Sequence, residues 1–259
     1  MREIELAIIG GGSAGLAAAI SAYDNGVKDI VVFERDNKLG GILNQCIHNG
    51  FGLHRFKEEL TGPEFAGRFI DEFNKRGIEA KLNSLVFGIE KGNVINYSND
   101  TDGFTSIKAK AIVFAAGCNE RTRGQILIPG ERPQGVFTAG LAQRYLNIEG
   151  YLVGKNVYIL GSGDIGLIMA RRMTLEGCNV IGVSELMPYS NGLNRNIVQC
   201  LNDFNIPLRL HNTVTKIIGK NKLEAIEICD VDDKLQPIPG KEQLIKCDCL
   251  LLSVGLYPF

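Results

Sequence analysis

The 259-residue sequence predicts an α/β fold with two parallel-sheet domains. A glycine-rich turn occurs twice, as GGGSAG at residues 10–15 and as GSGDIG at residues 161–166, each between an apolar strand pattern and a helical pattern. An acidic residue follows each turn, twenty-four positions after its first glycine, as Glu34 and Glu185. This spacing is typical of dinucleotide-binding units. We therefore predict two Rossmann-like dinucleotide-binding domains, each a central parallel sheet with helices and a small β meander.

The two turns have the residues that a pyrophosphate requires. The first two glycines let a phosphate approach the backbone, and the third lets the helix pack on the strand. Amide groups and the positive end of the helix face the phosphates, and the acidic residue accepts hydrogen bonds from ribose hydroxyls. The predicted cofactor contacts are Gly10, Gly12, Ser13, Ala14, Gly15, Glu34, Arg35, Gly161, Gly163, Asp164, Ile165, Gly166 and Glu185. The alternative interpretation is a tight turn without a ligand at each place.

Local patterns predict the elements of the first domain, residues 1–121. Apolar runs predict its strands, and a glycine-rich loop spans residues 36–60. Thr61 and Glu64 form a capping-box pattern, so a helix is predicted from there to Gly77. The other predicted elements are a helix at 13–25 and strands at 5–9, 30–33, 81–85, 87–90, 94–97 and 111–114.

The second domain, residues 122–259, repeats the order of the first. Turn-forming residues at 119–137 predict a crossing between the domains. A strand–helix–strand pattern then recurs around the second glycine turn, and an apolar run at 250–255 closes the chain. The predicted elements are helices at 138–147, 165–176 and 193–204 and strands at 157–160, 180–183, 208–210, 214–218 and 223–229.

Composition and charge exclude several classes of protein. Hydrophobic residues make up 45% of the chain and charged residues 22%, as in an ordinary globular protein, and the net charge of -1 gives no sign of a nucleic-acid partner. The apolar stretch at residues 6–22 is broken by four glycines, so it predicts the first turn rather than a signal peptide or a membrane span. We therefore expect a cytoplasmic protein with no membrane span and no nucleic-acid partner.

The turns and two further segments resemble the two-dinucleotide flavoprotein reductases of the pyridine-nucleotide–disulfide oxidoreductase superfamily. Ala115-Ala116-Gly117 stands where that family has Ala-Thr-Gly, and SVGLYP at residues 253–258 matches the end of its second domain. The resemblance covers essentially the whole chain. It implies FAD at the first turn and NAD at the second, in an enzyme that passes a hydride between NADH and FAD and on to an unknown small-molecule or protein acceptor. It also implies cofactor contacts at Val86, Ala115, Ala116, Gly117 and Gly255.

The loop GGILNQ at residues 40–45 resembles the thioredoxin-reductase-like branch, in which this segment wraps the flavin. This resemblance implies cofactor contacts at Gly41 and Asn49. The branch also carries a CxxC pair shortly before the second glycine turn. Residues 135–143 contain no cysteine here, so the resemblance does not extend to thiol–disulfide reduction.

Two stretches, TAGLAQ at residues 138–143 and residues 159–166, are similar to flavoprotein subunits found with amine, opine or glycerol-phosphate dehydrogenases. This similarity implies an alternative function, an electron-transfer subunit in a hetero-oligomer with a second dehydrogenase subunit. A third interpretation is a nucleotide-binding fragment without turnover. Family members continue after the Val-Gly-x-x-Pro segment to complete the FAD domain, whereas this sequence stops at Phe259. We therefore expect weak or substoichiometric FAD binding by the chain as given.

One loop, residues 46–54, contains a thiol and two of the three histidines. Cys46 and His48 are candidate catalytic residues, as a nucleophile or a proton donor beside the flavin. Two alternatives remain open, namely that these side chains only pack within a flavin-wrapping loop, or that they bind a metal. No fourth ligand accompanies them in the loop, so the metal is the least favoured of these alternatives and no residue is assigned as a metal ligand.

Glu185 predicts a preference for NADH over NADPH. An acidic residue at this position favours a free ribose and repels the additional phosphate of NADPH. No arginine that could bind that phosphate follows until Arg195.

Overall fold

The computed structural model describes residues 1–259 without a gap. The chain divides into two compact units, Met1–Gly117 together with Phe259, and Cys118–Pro258. The assignment of residues 1–121 to an FAD-binding domain and of residues 122–259 to an NAD-binding domain stays a prediction. No helix is both long enough and apolar enough to span a membrane.

The first unit contains a six-stranded mixed sheet. Its elements are β1 (Arg2–Ile9), α1 (Ser13–Asp24), β2 (Ile30–Phe33), a 3-10 turn (Gly41–Gln45), β3 (Asn49–Phe51), α2 (Leu53–Phe56), β4 (Leu60–Thr61), α3 (Gly62–Lys75), β5 (Glu79–Lys81), β6 (Leu85–Glu90), β7 (Val94–Asn99) and β8 (Gly103–Phe114). The strand order is β5-β2-β1-β8-β7-β6. The first four strands are parallel, whereas β7 and β6 continue the sheet as an antiparallel meander.

Apolar side chains cover both faces of this sheet. On one face Ile8 and Val32 pack against Leu16 of α1 and Phe73 of α3. The predicted capping box starts α3: the side chain of Thr61 accepts from the Glu64 amide, and the carboxylate of Glu64 accepts from the Thr61 amide. On the other face Ala7 of β1 and Phe33 of β2 pack in one apolar cluster with Tyr97 of β7, whose ring lies 4.9 Å from that of Phe33. These contacts fix where β1 ends and therefore where the first glycine turn lies.

The second unit contains a five-stranded parallel sheet. Its elements are β9 (Cys118–Glu120), α4 (Arg123–Ile126), β10 (Val136–Thr138), α5 (Ala139–Asn147), β11 (Asn156–Leu160), α6 (Asp164–Leu175), β12 (Asn179–Ser184), α7 (Asn194–Cys200), a 3-10 turn (Asn202–Phe204), β13 (Leu208–Arg209), β14 (Asn212–Ile218), β15 (Ala225–Val231), β16 (Pro237–Lys246), β17 (Cys249–Leu252) and β18 (Leu256–Pro258). The parallel order is β10-β17-β11-β12-β13. Helices α5, α6 and α7 cover one face, and the antiparallel sheet β14-β15-β16 covers the other.

The predicted fold class is confirmed, and several predicted elements differ from the structure. The predicted strand at 81–85 lies mostly in the loop between β5 (Glu79–Lys81) and β6 (Leu85–Glu90). The predicted helix at 193–204 is α7 followed by a 3-10 turn, with Leu201 between them at φ −116° and ψ −57°. Strand β8 begins at Gly103 rather than residue 111, and β16 was not predicted. Most residues of β16 are exposed, so the apolar alternation that marks a half-buried strand is absent.

Candidate dinucleotide sites

The first glycine turn joins β1 to α1, and two of its glycines are required by the protein's own packing. Gly10 has a φ of +107°, and a Cβ there would lie 2.3 Å from the Ala115 carbonyl oxygen. A Cβ at Gly15 would lie 1.9 Å from the Gly10 carbonyl oxygen. Both overlaps involve backbone atoms, so neither position accepts a side chain. The segment directly after β8, at Ala115 and Ala116, therefore lies against the turn.

Gly12 is different, because the protein does not require a glycine there. A Cβ at Gly12 would come no closer than 4.0 Å to another atom, the Cα of Gly41. The same residue is the N-cap of α1, and no side chain caps that end of the helix. The amides of the first turn, which includes exposed Ser13 and Ala14, are left without side-chain acceptors. Open space beside uncapped amides fits a pyrophosphate at this turn.

Glu34, at the end of β2, is tied to the turn by its carboxylate. The residue is 5% exposed. One carboxylate oxygen accepts from the Gly11 amide at 2.8 Å, and the other accepts from the Asp36 amide at 2.9 Å. A carboxylate has about four acceptor positions, so about two remain for ribose hydroxyls. Arg35 beside it is exposed.

Two other predicted segments lie close to this turn. The Gly40 amide donates to the Gly11 carbonyl at 2.9 Å, and a Cβ at Gly41 would lie 3.1 Å from the Cα of Gly12. The Ser84 amide donates to the Glu34 carbonyl at 2.8 Å, which brings the start of β6, with Val86, beside Glu34. Gly41 therefore lies directly beside the first turn, and Val86 follows two residues after Ser84, whose amide bonds Glu34.

The second glycine turn joins β11 to α6 and repeats this geometry. Gly161 has a φ of +98°, and a Cβ there would lie 2.1 Å from the Ser253 carbonyl oxygen. A Cβ at Gly166 would lie 2.6 Å from the Gly161 carbonyl oxygen. At Gly163 the closest atom would be 3.7 Å away, and this glycine is the uncapped N-cap of α6. The same division into packing glycines and an open glycine occurs in both units.

Glu185, after β12, is also buried and tied to its turn. One carboxylate oxygen accepts from the Ser162 amide at 2.9 Å and from the Ser162 hydroxyl at 2.6 Å. The other accepts from the Met187 amide at 3.0 Å. The sequence interpretation missed Gly11 and Ser162 as partners of the two acids. Their identical place, directly after the first glycine of each turn, was the available signal.

The side chain of Asp164 is used within the protein. Its Oδ1 accepts from the Leu193 amide and from Nδ2 of Asn196, both at 2.8 Å. These bonds fold the loop after β12 back onto the start of α6. Because the Asp164 side chain is engaged, only its backbone amide remains for the predicted cofactor contact. The same holds for Ile165, whose side chain has no polar atom. Gly255, after β17, has a φ of +103° and its carbonyl accepts from the Arg121 amide at 3.0 Å.

The loop with Cys46 and His48 packs on α3. The Cys46 thiol donates to the Ile42 carbonyl at 3.3 Å, and burial raises the pKa of this thiol to about 11. Nδ1 of His48 lies 3.1 Å from the Asn49 carbonyl oxygen, while its buried Nε2 has no hydrogen-bond partner. Asn49 is exposed. The catalytic roles of Cys46 and His48 stay predictions. A protonated thiol favours packing for Cys46, and the unpaired Nε2 leaves His48 free to bond a ligand.

No three His, Cys, Asp or Glu side chains are grouped so that they could hold a metal ion. All seven cysteines are free.

Buried thiols predict a loss of stability in alkali. Burial raises the pKa of Cys46 from 9.0 to about 11 and that of Cys247 to about 12. A raised pKa means that the stabilising protonated form is fully present below about pH 9 and is lost as the pH rises through the folded-state values. We expect the melting temperature to fall above about pH 9, and to fall less steeply in Cys46→Ser. A circular-dichroism melting series across this range measures both slopes, and equal slopes would contradict the prediction.

Together, the fold and the two glycine turns are those of proteins with two dinucleotide-binding domains. A family model described as pyridine nucleotide-disulphide oxidoreductase matches residues 4–258. The chain belongs to this family. Its members are FAD- and NAD(P)H-dependent oxidoreductases, so the predicted enzyme class and the predicted cofactor classes are confirmed.

Individual relatives are similar to nearly the whole chain. The chain is 26% identical to hydrogen cyanide synthase subunit HcnB of Pseudomonas protegens, over 97% of this chain and 56% of that protein. It is 28% identical to NAD(P)H coenzyme A polysulfide/persulfide reductase of Pyrococcus horikoshii, over 98% of this chain and 54% of that protein. The crystal structure of T. acidophilum thioredoxin reductase superposes with a TM-score of 0.74 at 25% identity, over 99% of this chain and 78% of that chain. The chain spans about half the length of the curated relatives it matches.

Proposed function

We propose that this chain binds FAD at the first turn and NADH at the second, and passes a hydride between them toward a further acceptor. The observation that carries the proposal is the repeated site, an open glycine at an uncapped helix start beside a buried glutamate, once in each unit. Two such sites supply a place for each dinucleotide. FAD, when bound, supplies the isoalloxazine ring that exchanges a hydride with the nicotinamide.

The residues of the chain bind and orient the two cofactors. Amides at the starts of α1 and α6 face the two pyrophosphates, and Glu34 and Glu185 accept from the riboses. Gly41, Ala115 and Ala116 border the first site through their backbones, and we expect Val86 and Gly117 to contact the cofactor there as well. The burial of both acids limits competition from water for these bonds.

A pair of matched variants tests the assignment of cofactors. We expect Glu185→Ala to weaken NADH binding about tenfold and to remove the preference over NADPH, since a charge-assisted bond to ribose is lost. We expect Glu34→Ala to weaken FAD binding and to leave the preference between NADH and NADPH as it is. Calorimetric titrations of NAD+ and NADP+, with flavin content from the visible spectrum, measure both. An unchanged NAD preference in Glu185→Ala would remove the second turn from the proposal.

A second candidate function is an electron-transfer subunit of a larger dehydrogenase. The relatives include proteins named as a subunit of hydrogen cyanide synthase and as the small chain of glutamate synthase. In this function another chain oxidises the substrate and this chain transfers the electrons within a hetero-oligomer in the cytoplasm. Purification from the native source distinguishes the two functions. If a second dehydrogenase chain co-purifies stably and this chain alone oxidises little NADH, the electron-transfer subunit is the favoured function.

A further inference from the structure

The two glutamates at the dinucleotide sites differ in how many donors they already hold. Glu34 accepts two hydrogen bonds, from the amides of Gly11 and Asp36. Glu185 accepts three, because Ser162 contributes a hydroxyl as well as an amide to the same carboxylate oxygen. The difference arises from one position, the residue after the first glycine of the turn.

This difference changes what each acid offers a ribose. A carboxylate has about four acceptor positions, so Glu34 keeps about two and Glu185 about one. An unphosphorylated ribose presents two neighbouring hydroxyl donors. Glu34 can therefore accept from both hydroxyls, whereas Glu185 can accept from only one while the Ser162 hydroxyl stays in place.

The Ser162 hydroxyl is held firmly. Ser162 is fully buried, and its hydroxyl lies 2.6 Å from the carboxylate of Glu185. The Ser162 carbonyl accepts from the Ser190 hydroxyl at 3.0 Å, and that hydroxyl in turn accepts from the Gly192 amide at 3.2 Å. Rotating the Ser162 hydroxyl away would exchange a charge-assisted bond for a buried donor without a partner, which is unfavourable.

We propose that Ser162 is a specificity-determining residue. Its hydroxyl lowers the affinity for NAD(H) by occupying one acceptor position of Glu185. The inference rests on the proposed binding of NAD(H) at the second turn. Removing the hydroxyl frees that position for a second ribose hydroxyl. NADP(H) gains less, because its 2′-phosphate carries no hydroxyl at that carbon to donate.

The test compares NAD+ and NADP+ binding in calorimetric titrations, since neither oxidised nucleotide can reduce the flavin. The variants are Ser162→Ala and Ser162→Gly, the second copying Gly11 of the first turn. Ser184→Ala is the matched control, because it removes an equally buried hydroxyl that bonds Tyr158 and Asn212 rather than the carboxylate. We expect both Ser162 variants to bind NAD+ about fivefold more tightly, with a smaller change for NADP+, and the control to gain nothing.

The outcomes separate this inference from the proposed function. Unchanged or weaker NAD+ binding in both Ser162 variants, while Glu185→Ala still abolishes the NAD preference, overturns the role of Ser162 alone. An equal gain of NAD+ affinity in Ser184→Ala also overturns the role of Ser162, because loss of a buried hydroxyl anywhere near the site would then be the cause. Absence of any Glu185-dependent NAD+ binding in the wild type overturns the proposed function itself.

Discussion

A Gly12→Ala protein should fold like the wild type and bind FAD about a hundredfold less tightly. The backbone at Gly12, with φ −78° and ψ −171°, suits any residue, and an added methyl group would meet no protein atom closer than 4.0 Å. The methyl group would instead fill the space beside the first amides of α1. Losing two charge-assisted bonds to a pyrophosphate costs about 3 kcal/mol, which is about a hundredfold in affinity. Flavin titration of the apoprotein measures the change.

Gly15→Ala is the matched control for this experiment. It adds the same methyl group three residues later, at 1.9 Å from the Gly10 carbonyl oxygen. We expect Gly15→Ala to lower the free energy of unfolding by about 3 kcal/mol, and Gly12→Ala to lower it by less than about 1 kcal/mol. Urea unfolding of the apoproteins compares the two. If Gly12→Ala bound FAD as tightly as the wild type, or lost as much stability as Gly15→Ala, the turn would be a packing feature and not a phosphate site.

The sequence could predict the turns because their chemistry is local. Gly10 and Gly161 have positive φ values, and Gly15 and Gly166 lie where the helix approaches the strand closely. Each of these positions requires a glycine, so the motif in the sequence predicts the geometry. The positions of Glu34 and Glu185 could be predicted because each residue follows the apolar run of a strand, β2 or β12. The capping box of α3 is local in the same way and was predicted to the residue.

Features set by contacts between distant residues could not be predicted. Strand β16 is exposed along most of its length and is held by its pairing with β15, so its own pattern carries no strand signal. The bond from the Ser162 hydroxyl to Glu185 joins residues twenty-three apart and depends on the register of β11 with β12. The unpaired Nε2 of His48 depends on how its loop packs on α3, which no local pattern encodes.

A Gly161→Ala protein should lose a large part of the stability of its second unit. The φ of +98° at Gly161 is unfavourable for alanine, and the methyl group would lie 2.1 Å from the Ser253 carbonyl oxygen. Neither partner can move freely. The Gly161 amide donates to the Ser184 carbonyl at 2.7 Å, and the Ser253 amide donates to the Leu160 carbonyl at 2.7 Å. Strain and overlap together should lower the free energy of unfolding by about 4 kcal/mol, measured by urea unfolding.

Gly163→Ala separates this structural effect from the effect on the nucleotide. Its φ of −65° suits alanine, and the closest atom to the added methyl group would be 3.7 Å away. We expect its stability to stay within about 1 kcal/mol of the wild type, while NAD+ affinity falls at least about tenfold because the methyl group stands where the pyrophosphate approaches α6. If Gly163→Ala bound NAD+ as tightly as the wild type, the open glycine would not mark a phosphate site. If Gly161→Ala were as stable as Gly163→Ala, the junction of β11, β12 and β17 would not depend on a glycine.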